Sequence, residues 1–100
     1  MKAESRVMIL KVYNDFMIAL VLRGESIEHV FIEHMDKDFV KRLSEDKTLC
    51  EVRRTILLGE APDYVIKVFS PEKANIQVYS TIENFMDSIA RELLRWSENK

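Results

Sequence analysis

The segment RVMILKVYNDFMIALVLRG, from Arg6 to Gly24, constrains the fold more than any other part of the chain. Two apolar runs, Val7 to Tyr13 and Phe16 to Leu22, flank Asn14 and Asp15, and those two residue types tolerate the left-handed backbone of a tight hairpin turn. Folding there sets Tyr13 opposite Phe16, Ile9 opposite Leu20 and Val7 opposite Leu22. Alternation along the strands assigns Val7, Ile9, Lys11, Tyr13, Phe16, Ile18, Leu20 and Leu22 to one face. The other face receives Arg6, Met8, Leu10, Val12, Met17, Ala19, Val21 and Arg23. Apart from Lys11 and the terminal arginines both faces are apolar, whereas an antiparallel sheet with one wet face alternates apolar with polar side chains. The hairpin therefore needs two covers. Either the chain supplies helices to both faces, or one face is left for a partner.

The rest of the chain limits what those covers can be. One hundred residues, 47% apolar and 32% charged, make a single domain over residues 1–100 that buries roughly 60–70% of its unfolded surface. The middle part, from Ser26 to Gly59, is open at its start: Ile27 to Glu33 reads as a third strand, yet Ile27, Val30, Phe31, Met35, Phe39 and Leu43 also recur at helical spacing. Asp36 is placed to cap a helix, with Met35 stapled onto Val40. Thr48 followed by Glu51 forms a capping-box pattern, and Gly59 with Pro62 supplies a stop. These signals predict two short helices, at about 36–45 and 49–58. Tyr64 to Phe69 and Ile76 to Ser80 then read as a second hairpin around SPEKAN. Finally, Ser80 and Glu83 form another capping-box pattern before Ile82, Phe85, Met86, Ile89, Ala90, Leu93 and Trp96, one face of a helix reaching about Ser97. The order hairpin, helices, hairpin, helix predicts an α+β fold with a mostly antiparallel sheet and helices packed on it.

Chemistry is sparse. His29 and His34, with Glu33 or Asp36, offer the residue types of a metal site. Five-residue spacing, however, puts the imidazoles on opposite faces of a strand and well apart around a helix, so no metal site is expected. Cys50 is the single cysteine; it reads as a small buried hydrophobe rather than a nucleophile. A lone cysteine also makes no internal disulfide, which points to a reducing, cytoplasmic setting. The carboxylate pairs Asp36 with Asp38 and Glu45 with Asp46 lie in charged, solvated stretches. With two glycines and no phosphate loop, dinucleotide fingerprint or nucleophile turn in the sequence, no catalytic residue and no cofactor is assigned. Fifteen basic against 17 acidic residues, net −2, argue against a strongly electropositive nucleic-acid binder. The N-terminal stretch does not read as a signal peptide, and the run from Phe16 to Leu22 is far shorter than a spanning helix.

The segment ANIQVYSTIENFMDSIARELLRW resembles the strand-then-helix ending of the small dimerisation subunits of archaeal KEOPS, a transfer-RNA modification complex, through Leu94, Arg95 and Trp96. It covers under a quarter of the chain, and no function is carried over from it. The residues themselves favour a small, non-enzymatic interaction or scaffold subunit. It would dimerise or dock into a larger assembly through Met8, Leu10, Val12, Met17, Ala19 and Val21, with methionines adapting to the partner. One alternative is a nucleic-acid-associated accessory protein using Arg53, Arg54, Arg91 and Arg95, with Lys41 and Arg42 nearby, because guanidinium suits phosphate. Another is a ligand-binding domain or enzyme whose pocket gathers Tyr64, Tyr79, His29 and Cys50.

Overall fold

The first two strands form where the turn demands. In the computed structural model, which describes residues 5–75 and 77–98 without the side chains of Cys50, Ser97 and Glu98, β1 (Arg6–Val12) and β2 (Phe16–Arg23) pair antiparallel, with Val7 opposite Leu22 and Ile9 opposite Leu20. The Tyr13 amide donates to the Phe16 carbonyl at 2.8 Å and closes the turn. Gly24, at φ 61°, supplies the left-handed residue that returns the chain into β3 (Ser26–His34). The ambiguous segment from Ile27 to Glu33 is thus a strand, antiparallel to β2 and with a bulge opposite Val21 and Leu22.

Helix α1 (Lys37–Ser44) starts where expected, since the Asp36 carboxylate accepts from the amides of Asp38 and Phe39 at 2.9 and 3.4 Å. The rest of the middle differs from the sequence reading. Only a single turn, α2 (Lys47–Cys50), follows, capped by Asp46 rather than Thr48, and residues 52–58 form β4 (Val52–Leu58) instead of a helix. Strand β4 lies parallel to β1, with Ile56 opposite Ile9 and Leu57 opposite Leu10. Ile56, Leu57 and Leu58 are buried in succession because the strand is covered on both faces, and such a strand has no alternation to betray it.

The expected second hairpin is also replaced. Tyr64 to Phe69 lies in a helix, α3 (Asp63–Phe69), which follows Pro62 and ends at Ser70 with φ 47°. It carries the chain from β4 to a short parallel strand, β5 (Glu72–Lys73), and a parallel pair needs such a crossover. Residues 77–79 form a turn, while Ile76 lies outside the described residues. Helix α4 (Ser80–Glu98) opens without the expected capping box. The Ser80 hydroxyl donates back to the Gln77 carbonyl at 3.3 Å.

The sheet order is β3-β2-β1-β4-β5, antiparallel from β3 to β1 and parallel from β1 to β5. The fold is α+β, with a five-stranded mixed sheet and four helices among the described residues. Met8, Leu10, Met17, Ala19, Val21 and Leu57 pack with Val40, Leu43, Leu49 and Val65 from the first three helices. On the other face Ile9, Ile18, Leu20, Ile56 and Leu58 pack with Met86 and Ala90 from α4. Three layers result, and the chain supplies both covers of the hairpin itself.

Candidate interaction surface

The hairpin face read as an interface is core instead. Met8, Leu10, Met17, Ala19 and Val21 are at most 1% exposed, and Val12 is half-buried against the same cluster. None is available to a partner without removing α1 to α3. The reason is economy of cover: α1, α2 and α3 all fall between strands on one side, which frees the long α4 for the other.

Lys11 does not mark the edge of cover either. The charge stands on an apolar strand face, and α4 brings two carboxylates onto it. The ammonium donates to Asp87 at 2.8 Å and to Glu83 at 3.2 Å, and the Tyr13 hydroxyl donates to the same Asp87 oxygen at 2.7 Å. Burial opposes the ammonium charge, but the hydrogen bonds from Lys11 to Asp87 and Glu83 outweigh it and raise its pKa. Burial likewise opposes the Asp87 carboxylate, and the bonds from Lys11 and Tyr13 prevail and lower its pKa. Tyr13 is pushed up, by burial first and then by Asp87. Every member of this network is satisfied, so it clamps α4 to β1 rather than offering a reactive group. The sequence signal was one cation on a greasy face and two acids one turn apart on an amphipathic helix.

What remains exposed defines a different surface. Ile27, Val30 and Ile32 on β3 are 45, 44 and 46% exposed. Paired with Leu22, Leu20 and Ile18, they extend the apolar sheet face beyond the reach of α4. Strand β3 is also the long edge of the sheet, nine residues without proline. Among the described residues no backbone group from outside the sheet bonds to Ile27 through Glu33. The second exposed feature is the far half of α4. Its apolar stripe is buried at Met86 and Ala90, half-buried at Leu93, and 74% exposed at Trp96. An open hollow of about 740 Å³ there is lined, among the described residues, by that helix, including Ile89, Leu93 and Trp96 with Arg91 and Arg95.

The other candidates do not converge. Arg54 pairs with Glu72 at 2.8 Å and Arg95 with Glu92 at 3.2 Å; Arg53 sits at a bulge of β4, and Arg91 lies on α4, both exposed. Lys41 and Arg42 are exposed on α1 beside Asp38 and Glu45. The ring of His29 lies 5.9 Å from that of Phe31, tilted by 31°, and at the opposite end of β3 the His34 ring lies 6.5 Å from Phe39. Among the described residues no three of His, Cys, Asp and Glu gather as metal ligands. Tyr64 and Tyr79 pack on opposite faces of the sheet, and the Cys50 side chain lies outside the described residues. No helix among the described residues is long and apolar enough to cross a membrane.

No family model, curated protein or solved structure matches the chain. The KEOPS-like ending loses its strand half as well, because residues 77–79 form a turn.

Proposed function

We propose that the protein is a small non-enzymatic interaction subunit, docking by the edge of its sheet and the free end of α4 rather than by the face of the hairpin. One observation carries this reading: both sheet faces are covered within the chain, yet Ile27, Val30 and Ile32 on an open edge stay half-exposed. An open, long edge strand with an apolar face is a template for another strand; proteins blunt such edges with charges, proline, bulges or cover, and β3 has its bulge near one end, leaving His29 to Glu33 regular. The lysines of this chain all lie outside β3. The satisfied Lys11 network and the scattered histidines supply no acid-base or nucleophilic centre to set against it.

The test is size fractionation of extract containing the full chain, followed by the variant Ile32→Lys with Trp96→Asp. Migration well above the mass of one chain, collapsing in the variant while its far-ultraviolet circular dichroism is unchanged, supports an interaction subunit. Migration as a single chain refutes it.

A further inference from the structure

The edge strand SIEHVFIEH carries its own complement. We infer that the partner of β3 is β3 of a second copy, paired antiparallel about a two-fold axis at Phe31, which joins the two five-stranded sheets into one. This inference rests on the interaction reading above. In that register Val30 faces Ile32 of the partner subunit, and His29 faces Glu33 of the partner subunit, each pair occurring twice by symmetry. Glu28 is the extra residue of the bulge in β3, so the regular pairing runs from His29 to Glu33. Val30 and Ile32 meet on the α4 side, His29 and Glu33 meet on the α1 side, and no like charges oppose one another.

The neighbouring registers lack this match. Centred on Val30, the pairing sets His29 against the partner's Phe31 and carries Glu33 past the bulge; centred on Ile32, it sets Phe31 against the partner's Glu33. Within the regular stretch from His29 to Glu33, period-two alternation makes such shifts the only ones that keep like faces together. Bond partners within the chain agree with the choice. Glu28 is held by Arg6 at 2.8 Å, whereas Glu33 forms no ion pair among the described residues. The free carboxylate is the one set against His29. The opposite edge of the sheet, β5, has two residues and offers no comparable template. An isologous contact of this kind closes after two copies and does not propagate.

Sedimentation equilibrium of the purified chain across the micromolar range reads the state directly. The expected mass is twice the 11.8 kDa of one chain. Ile32→Lys, or Val30→Lys should the first variant lose its fold, raises the dissociation constant by about tenfold or more, because each substitution acts twice per dimer. Glu33→Lys alone weakens the dimer, and His29→Glu combined with Glu33→Lys restores it by exchanging the two charges. A wild-type monomer throughout the range overturns the inference, as does a dimer indifferent to the β3 substitutions or a charge exchange that fails to rescue. A dimer broken by Trp96→Asp alone overturns it while leaving the interaction reading standing, and a purified monomer that migrates in an assembly in extract does the same.

Discussion

Helix α4 should be held to the sheet by its first half alone, and a pair of truncations measures that. Met86 is fully buried on α4, against Ile9, Ile18, Leu20 and Ile56. Met86→Ala removes the side chain from a packed face. Such truncations cost about 2–5 kcal/mol, depending on how far the site collapses. A helix lying on a sheet can settle somewhat, so a value of about 3 kcal/mol is expected, or a fall in melting temperature of about 12–24 °C for a domain of this size. Trp96→Ala removes a larger side chain that is 74% exposed, and should cost about 0.5 kcal/mol or less. Thermal unfolding followed by circular dichroism serves both variants, because it does not depend on Trp96, the only tryptophan. If Trp96→Ala destabilises as much as Met86→Ala, the free end of α4 is packed and both the three-layer account and the docking surface fail.

Three further outcomes follow from the same packing. Met17→Asp places a carboxylate in the core under α1 to α3 and should abolish the folded far-ultraviolet signal at neutral pH, whereas Ile32→Lys should leave it intact; a folded Met17→Asp would show that face to be open. The Asp87 carboxyl lies below its ordinary 3.8 in the folded chain, so its stabilisation is complete above that value and is lost as pH falls through the folded pKa. The urea midpoint of the wild type should therefore drop in acid, and Asp87→Asn should flatten that drop, with an unchanged profile refuting the role of the network. Gly59 holds φ 77° with open space where a Cβ would sit, so Gly59→Ala should lower stability by backbone strain alone, about 1–2 kcal/mol in urea unfolding.

The parts of the fold legible in the sequence are those where one local rule acts without competition. Asn14 and Asp15 set the hairpin register, and Val7 with Leu22 and Ile9 with Leu20 pair as that turn requires. Asp36 caps α1, and the stripe through Met86 and Ala90 marks α4. The errors lie where tertiary context overrode the local signal. VRRTILL follows a capping-box pattern but becomes β4, since pairing beside β1 buries both of its faces. YVIKVF has the composition of a strand and becomes α3, because β4 and β5 run parallel and need a crossover between them. The signal for α3 was present in Ala61, Tyr64, Val65 and Phe69, which pack on one cluster at helical spacing. The interface was misplaced for a related reason. Two greasy faces show that two covers exist, but only the placement of α4 shows that the chain supplies the second.

That placement determines what kind of association is open to the protein. A sheet with a bare face can dock face to face, burying many side chains at once. Here the helices cover both faces of the central strands, and only the margin at Ile27, Val30 and Ile32 of β3 stays open. On the reading proposed above, association would use backbone groups along β3, whose directional hydrogen bonds impose a register, or the projecting end of α4, whose single stripe imposes none along the sheet. These two surfaces therefore differ in kind. In the proposed dimer the strand edge would select a partner by length, alternation and charge order, conditions that His29 to Glu33 meets against its own reverse. The helix end, with Trp96 next to Arg95, would select by shape and apolar area. If the strand edge is closed by a second copy, the two free helix ends project from the same face of a continuous sheet, and a further partner would meet them as a pair.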